Sequence, residues 1–438
     1  MPLKKNFLLT TAEISFYFFP ISLIAGSLIV NLNLIFFCLI SIIYFFLNKI
    51  KFKINFVNFF LLLFFLVLIL SSYRNLSEIG TENFIKSIFL LKFYLLYLLL
   101  ENFIKNTNFE FKYFFYVCFF SIIFLSLDLS LQYFNGKNIL GFTPHDGRIA
   151  GVFGSEAVAG AFLQKIFIFS LIGSLFVLNP QNSFHSKIIS GILVLIIFGS
   201  FVASNRISFV ILFTLFILLV FLFKLFRKNL IYSLIIILPV FYYFFQNDID
   251  INKKYSSFFI KANNTLINLI KSPQKVYEIE SGENLSNSKN NTVHASLKSN
   301  HAKIYLTTIE SFKERKYFGN GYKSFRVRCS VFAEGNKNYL CSTHPHNYHL
   351  EVLHDTGILG FLLITLFTFA LLIKLFTSYT AKEINYVNKV ILGLLIINFL
   401  VEIFPLKSSG SLFTTWNGTL TWLTIALVNY GIYKKNEE

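Results

Sequence analysis

The sequence predicts an all-α, polytopic membrane protein, on the grounds of its composition, the length of its apolar runs and the placement of its charges. Of the 438 residues, 55% are hydrophobic and only 14% are charged, and phenylalanine alone occurs 57 times. Apolar runs of roughly 17 to 25 residues recur along the chain, the length that an α-helix needs to cross a hydrocarbon core about 30 Å thick.

The formal net charge of +17 does not indicate nucleic-acid binding here, because the basic residues lie beside alternate ends of the apolar runs. In a membrane protein such residues mark cytoplasmic loops. They are Lys4, Lys5, Lys49, Lys51, Lys53, Lys105, Lys112, Lys187, Lys224, Arg227, Lys228, Lys374, Lys382, Lys389, Lys434 and Lys435.

Charge placement and run length together predict about twelve spans, with both termini in the cytoplasm. The first run follows Met1-Pro-Leu-Lys-Lys5 and has no small-residue cleavage site after it, so we expect a retained span and not a signal peptide. A tight turn at Asn31-Leu-Asn33 is expected to separate the first two spans. The spans are expected near residues 12–30, 32–48, 56–72, 86–104, 113–133, 157–178, 188–204, 208–226, 229–246, 349–377, 388–404 and 414–432.

This topology divides the chain into N-terminal membrane helices (1–246, about nine spans), one large periplasmic loop (247–346) and C-terminal membrane helices (347–438, about three spans). Residues 134–156, the turn beginning at Ser204 and residues 405–415 are also expected on the outer face. Within the large loop, residues 281–300 are rich in Ser, Asn and Lys and are expected to be flexible, whereas 302–312 predict a short helix. The loop is too small to be an independent enzyme.

Two of the four cysteines, Cys38 and Cys118, lie in apolar spans and are expected to act as small hydrophobic residues. Cys329 and Cys341 lie in the predicted outer loop. An oxidising periplasm would allow them to form a disulfide just ahead of His344, and two free thiols are the alternative.

Arginine is rare in this lysine-rich chain, and all arginines but Arg227 are predicted to be outside, where positive charge is disfavoured. That placement favours a role that suits arginine, the bidentate binding of phosphate or carboxylate. Arg206 lies in a turn at the membrane edge and requires a partner. Arg148 lies in a glycine-punctuated stretch that runs into a span. Interfacial snorkelling is the alternative for both. The others are Arg74 and Arg315, interpreted as solvated loop residues, and Arg326 and Arg328.

Four of the eight histidines are concentrated at the start of one span: His344, His346, His349 and His354. A metal site would need an additional carboxylate, whereas a general base oriented by Asn347 or Glu351 needs fewer assumptions. A plain helix cap is the third alternative. Asp248-Ile-Asp250 resembles an acidic metal-binding pair but also matches an ordinary polar loop start, which we favour.

The residues around His346 resemble the superfamily of O-antigen ligases, O-antigen polymerases and bacterial O-linked oligosaccharyltransferases. Its members carry His followed by Asn, Ser or Gln, then nine residues, then Gly-x-x-Gly. Here the pattern is His346-Asn347 and then Gly357-Ile-Leu-Gly360. Similar segments are 148–160, the Ser204-Asn-Arg206 turn, 316–325 and 404–413. The turn departs from the family, whose members usually have Ser-Arg or Gly-Glu-Arg.

The resemblance implies a single O-antigen ligase-like domain of GT-C-like architecture in a bacterial inner membrane, with a periplasmic active site. The implied reaction moves a glycan from undecaprenyl diphosphate to a hydroxyl of lipid A core or of another glycan, with inversion and without nucleotide sugar, cofactor or metal. Arg148 and Arg206 would hold the diphosphate, and Arg326 or Arg328 would be a third anion contact. His346, beside Asn347, would orient or deprotonate the acceptor hydroxyl.

Ligase, polymerase and protein O-oligosaccharyltransferase share these motifs, and of them we favour the ligase. The alternative of another class is a polysaccharide transporter or flippase. A transporter should have charged residues at mid-membrane positions on several helices, and only Asp128 and Lys165 approach that pattern.

Overall fold

A computed structural model describes residues 2–52, 54–203, 205–270, 300–336, 338–381 and 385–433. The described chain is built from helices and the segments that connect them, with a 3₁₀ helix at Gly151–Phe153. The α-helices are α1 Pro2–Tyr17, α2 Phe19–Ala25, α3 Ser27–Leu47, α4 Phe56–Arg74, α5 Leu76–Phe89, α6 Leu91–Asn106, α7 Lys112–Asn135, α8 Ala159–Val177, α9 Ser183–Val202, α10 Arg206–Leu222, α11 Lys224–Asn247, α12 Ile249–Ile270, α13 Asn300–Glu314, α14 Phe325–Ala333, α15 Tyr348–Thr380, α16 Tyr386–Glu402 and α17 Thr415–Tyr433.

Many of these helices are long enough to cross a membrane. Among the described residues, eight helical stretches pass on length and composition: α3, α4, α5 with α6, α7, α8, α9, α11 and α15. The pair α1 and α2, bent by 46°, would add a ninth, and α10 is a shorter apolar helix. The prediction of an all-α, multi-pass membrane protein is therefore confirmed. The count of about twelve spans and the periplasmic position of the large loop stay predictions.

The turn predicted at Asn31-Leu-Asn33 is wrong, because α3 runs through these residues without a break. The chain breaks instead at Gly26, whose φ of +112° suits only glycine. Asn33 joins two helices, since its side chain donates to the main-chain oxygen of Ser15 at 3.0 Å and accepts from the Ser15 hydroxyl at 2.9 Å. A polar pair between α1 and α3, and not a turn, explains this asparagine.

Among the described residues of this stretch, three helices, α12, α13 and α14, lie between α11 and α15. The helix predicted over 302–312 is present as α13. The stretch predicted to be flexible, 281–300, lies outside the described residues except for Asn300, which begins α13. Ser204 of the predicted turn and the span-end lysines Lys53, Lys382, Lys434 and Lys435 also lie outside them.

Helices α7 and α8 pack with their backbones in close approach. A Cβ at Gly173 in α8 would collide with the carbonyl of Phe115 in α7, so a small residue is required at this crossing. The buried rings of Phe16 and Phe114 stack at 4.6 Å on the other side of α7. This packing holds both ends of residues 136–158, the connection that carries Arg148.

Candidate active site

The turn before α15 holds a residue in a strained conformation. His346 has a φ of +57°, and a non-glycine residue in this region costs about 1 to 3 kcal/mol unless its surroundings hold it there. Asn347 is the N-cap of α15, since its side-chain oxygen accepts from the Leu350 amide at 3.0 Å. We call these two residues the histidine turn.

The histidine turn is held by one segment, residues 405–412, between α16 and α17. The Ser409 amide donates to the His346 carbonyl at 2.9 Å. The Asn347 side-chain amide donates to the carbonyls of Pro405 at 2.6 Å and Lys407 at 3.3 Å. The 405–412 segment, which belongs to one of the family-like stretches, therefore fixes the backbone of both residues of the turn.

Glu351 extends the same interaction one turn further along α15. Its buried carboxylate accepts from the Ser411 hydroxyl at 2.5 Å and from the Leu412 amide at 2.8 Å. The sequence predicts that Asn347 or Glu351 orients a histidine ring. In the structure both side chains bond the 405–412 segment instead, so they act on the position of the turn and not on the ring of His346.

A buried ion network lies next to this segment. Glu402, at the end of α16, accepts from Lys165 of α8 and, at 2.8 Å, from Lys407. All three side chains are less than a tenth exposed. The hydroxyl of Tyr348 lies 3.3 Å from Glu402 and 3.2 Å from Lys165. Because buried charges are costly unless paired, this network ties α8, α16 and the start of α15 to one another.

The ring of His346 has two histidines beside it. The centroids of His301 and His344 lie 5.1 Å and 4.1 Å away, and the Ser342 hydroxyl is 3.2 Å from Nε2 of His346. Burial, and then the nearby His301, lower the pKa of His346 below 6.5. Burial and His346 lower the pKa of His344 to about 4. Both rings are therefore neutral at neutral pH, and a neutral imidazole can accept a proton.

The other two histidines of the cluster have structural partners. Nε2 of His349 lies 2.8 Å from the carbonyl of Ile403. His354 is fully buried, with Nδ1 at 2.8 Å from the carboxylate of Asp355 and Nε2 at 2.9 Å from the Ser311 hydroxyl. Of the four histidines in this cluster, His346 and His344 are therefore the candidates for a general base.

The residues just before the histidine turn are held by α13 and α14. Cys329 and Cys341 are bonded in the structure, with their Cα atoms 5.0 Å apart. The Thr307 hydroxyl of α13 accepts from the Leu340 amide at 3.0 Å. The disulfide to α14 and the hydrogen bond to α13 therefore hold residues 340 and 341, which lead into the histidine turn. Cys38 and Cys118 are buried and form no disulfide, as expected of cysteines that act as small hydrophobic residues.

Helix α15 is broken at Gly357, where φ is +67° and ψ is −170°. Residues 316–321 supply main-chain partners in place of the interrupted helical ladder. The replacement bonds run from Ile358 N to Lys316 O at 2.8 Å, from Leu359 N to Tyr317 O at 3.2 Å, from Asn320 N to His354 O at 2.9 Å and from Gly321 N to Asp355 O at 3.0 Å.

The glycines at this break are required by space. A Cβ on Gly357 would collide with the main chain of Tyr317 and Gly319, and a Cβ on Gly360 would collide with the side chain of Thr356. Gly357 therefore allows the family-like segment 316–325 to lie directly against α15, and Gly360 leaves room for the Thr356 side chain one turn earlier.

Arg148 lies in a tight hairpin turn. His145 and Arg148 exchange main-chain hydrogen bonds of 2.9 Å and 3.2 Å. The two residues between them, Asp146 and Gly147, have positive φ of 49° and 66°, the pattern of an Asp-Gly type I′ turn. The Gln132 side chain holds the following residues by accepting from the amides of residues 150 and 151 at 3.1 Å and 2.8 Å. This turn is a fixed part of the site.

A lysine of α12 joins the two arginines. Nζ of Lys254 donates to the carbonyl of Gly147 at 2.9 Å, and the guanidinium of Arg206 donates to the carbonyl of Lys254 at 3.3 Å. Burial lowers the pKa of Lys254. The nearby carboxylates of Asp250 and Asp248 raise that pKa, and Arg148 and Arg206 lower it. Lys254 is thus within electrostatic range of both Arg148 and Arg206, and we call these three residues the cation cluster.

The other candidate arginines lie elsewhere. Arg328 forms ion pairs with Glu78 of α5 and Glu314 of α13, and these carboxylates neutralise its charge. Arg326 is exposed, and its charge contributes to the low pKa of His344. The interpretation of Arg315 as a solvated loop residue is wrong, because it too pairs with Glu78.

Helix α8 contacts both parts of the site. A Cβ on Gly160 would collide with the side chain of Asn205, next to Arg206. Lys165, five residues along the same helix, bonds Tyr348, next to the histidine turn. With a rise of 1.5 Å per residue, the two contacts lie about 7.5 Å apart along the helix axis. Helix α8 therefore contacts a residue next to Arg206 and a residue next to the histidine turn.

Asp248 and Asp250, the acidic pair, begin α12. Asp248 accepts from the Ile251 amide at 2.9 Å and from the Tyr133 hydroxyl at 2.6 Å, as a helix-capping residue does. In the described part of the chain, no group of three or more His, Cys, Asp or Glu side chains is placed to hold a metal ion.

The family comparison agrees with this geometry. Residues 191–365 match the family model described as O-Antigen ligase. Over this stretch the chain is similar to the O-antigen ligase family. The resemblance inferred from the sequence is thereby confirmed at the level of the superfamily. The matched stretch contains Arg206, Lys254, the histidine turn and both motif glycines, whereas Arg148 lies before it. A search of curated proteins found no match to the chain.

Proposed function

We propose that this O-antigen ligase-family protein is an inverting glycosyltransferase of the inner membrane. It would transfer a glycan from undecaprenyl diphosphate to a hydroxyl of an acceptor, with lipid A core as the favoured acceptor, on the periplasmic face. The observation that best supports this function is the contact of α8 with both the Arg206 turn and the histidine turn. We propose that the anion site and the proton acceptor on either side of α8 serve one reaction.

The donor would be held by Arg148 and Arg206. Both arginines are exposed, so a ligand can reach their guanidinium groups, and Arg206 donates to the main-chain carbonyl of Lys254. As the bond between the anomeric carbon and the diphosphate oxygen breaks, negative charge grows on the diphosphate. Two guanidinium groups that hydrogen-bond the diphosphate would stabilise that growing charge most strongly in the transition state. The proposal thus assigns this role to arginine and not to a divalent ion.

The acceptor hydroxyl would be deprotonated by His346. The acceptor oxygen forms its bond to the anomeric carbon on the face opposite the leaving diphosphate, which inverts the configuration, and its proton passes to the neutral imidazole. The low pKa of His346 keeps the ring neutral before the reaction. Ser342, at 3.2 Å from Nε2, would exchange its hydrogen bond for one to the acceptor.

The alternatives differ in what they require. A polymerase or a protein O-oligosaccharyltransferase would use the same residues with another acceptor. A transporter would need free charges along a path through the membrane. Lys165 pairs with Glu402, and Asp128 accepts from the Ile139 amide at 2.9 Å, so both residues that favoured a transporter have internal partners.

The test is reconstitution of the purified protein with undecaprenyl-diphosphate-linked glycan, with and without a chelator. Lipid A core, a second lipid-linked glycan and a glycan-free protein acceptor are offered separately. Glycan on lipid A core supports the ligase, and lengthened glycan supports the polymerase. Absence of any transfer by protein that still binds the donor would overturn the proposal. Loss of activity on chelation, restored by magnesium, would overturn the arginine-based mechanism.

A further inference from the structure

Helix α12 is fixed in rotation by its buried residues. The hydroxyl of Tyr255 donates to the carbonyl of Phe201 at 2.7 Å, and the two rings stack at 5.0 Å with an angle of 14°. Ile251, one turn earlier on the same face, is buried as well. The beginning of α12 is therefore held firmly against the end of α9.

This rotation separates two adjacent lysines. Lys254 is half-buried and contacts Gly147, whereas Lys253 is exposed. Consecutive residues of an α-helix point about 100° apart. Only the second lysine of the pair is directed to the turn that carries Arg148.

The same turn of α12 also holds Arg206. The carbonyl of Lys254 accepts from its guanidinium at 3.3 Å, and the guanidinium carbon lies 6.0 Å from the centre of the Phe258 ring, one turn further along. Lys254 thus contacts both of the elements that supply the arginines: the 145–148 turn with its side chain, and Arg206 with its main chain.

We infer that Lys254 is a third ligand of the donor diphosphate, which it binds together with Arg148 and Arg206. The inference rests on the proposed function. Arg148 and Arg206 both repel the Lys254 ammonium, which Asp250 and Asp248 attract. A diphosphate bound by the three cations would offset the repulsion between them. The two residue types bind phosphate differently. The arginine guanidinium is rigid and planar and can donate two parallel hydrogen bonds, whereas the lysine ammonium is a compact charge on a flexible side chain that can exchange Gly147 for a phosphate oxygen.

The experiment compares Lys254→Met with Lys253→Met, a change of the same kind at the adjacent position of the same helix. Binding of undecaprenyl diphosphate to the full-length protein in detergent is measured for both. Loss of a charge-assisted hydrogen bond predicts at least roughly tenfold weaker binding for Lys254→Met. Lys253→Met should bind within about twofold of the unaltered protein, and Lys254→Arg should retain most of the affinity.

The outcomes separate this inference from the proposed function. Unaltered binding by Lys254→Met, with weakened binding by Arg206→Met, overturns the inference and leaves the function standing. Unaltered binding by Lys254→Met, Arg148→Met and Arg206→Met alike overturns the donor site itself.

A second measurement serves if Lys254→Met does not fold. The unaltered protein is acetylated with and without undecaprenyl diphosphate, and lysine labelling is read by mass spectrometry. Protection of Lys254 but not of Lys253 supports the inference, and equal labelling of Lys254 in both conditions contradicts it.

Discussion

The main-chain amide of Ser409 donates a hydrogen bond to the carbonyl of His346 at 2.9 Å. This bond joins the 405–412 segment to a residue whose φ of +57° is unfavourable without support. Strained residues are held in this way where a side chain must be presented in one position, so the bond accounts for how a loop far along the chain contributes to the candidate site.

Asn347→Ala should reduce transfer through the position of His346. It removes the cap of α15, which is worth about 1 kcal/mol, and both bonds to the 405–412 segment. We expect kcat to fall at least tenfold with little change in KM for the donor. Asn347→Asp keeps the cap but cannot donate, and should be intermediate. A wild-type kcat for the alanine variant would show that the segment does not position the histidine.

The pH dependence of transfer should respond to His301. A general base must be neutral, so the rate falls as the pH drops through its pKa. The pKa of His346 is below 6.5 and His301 contributes to lowering it. His301→Phe should therefore raise that pKa and move the acid limb of the kcat profile to higher pH. His344, with a pKa of about 4, is uncharged in this range, and His344→Phe is the control that should leave the limb in place. An unmoved limb in the His301 variant would argue against His346 as the base.

Gly357→Ala should destabilise the protein strongly. The added methyl group meets the main chain of Tyr317 and Gly319, and alanine disfavours a φ of +67°. We expect a loss of at least about 1 to 3 kcal/mol, measured as thermal unfolding in detergent. Gly191→Ala in α9 is the matched control, since nothing lies within 4 Å of its added Cβ, and it should be neutral or slightly stabilising. Equal stability of the two variants would contradict the packing described at the break.

Arg206→Lys tests how the diphosphate is held. Lysine keeps the charge but lacks the planar fork, so transfer should fall roughly tenfold to a hundredfold if two parallel hydrogen bonds are made. Arg148→Lys should behave similarly. Arg227→Lys, whose arginine bonds only the carbonyls of Val220 and Phe221 among described residues, is the control. More than half of the normal activity in Arg206→Lys, at normal expression, would remove Arg206 from the site.

Much of the fold follows from the sequence because apolar length is a local property. The long apolar helices on either side of residues 247–346 and the helix after residue 300 follow from the sequence for this reason. The break at Gly26 was missed because Asn31 and Asn33 are typical turn residues. Here Asn33 bonds Ser15 on another helix, a contact that no local pattern contains.

The site was predicted only in part for a similar reason. The arginines stood out because the chain is otherwise rich in lysine, and for that same reason Lys254 did not. Its contacts with Gly147, 107 residues away, and with Arg206, 48 residues away, distinguish it from Lys253. His301 lies 45 residues before His346 and reaches it through the packing of α13, which sequence spacing does not reveal. Arg328 looked like an anion ligand because its partners, Glu78 and Glu314, are distant in sequence.

The measurement that tests the central claim most directly is glycan transfer by purified His346→Ala, with undecaprenyl-diphosphate-linked glycan as donor. Loss of a general base predicts a rate at least about a hundredfold lower, with normal membrane insertion and donor binding, because the half-buried ring is not part of the packed core. His344→Ala, treated identically, should lose much less. Transfer by His346→Ala at a rate close to that of the unaltered protein would contradict the assignment of this residue as the base.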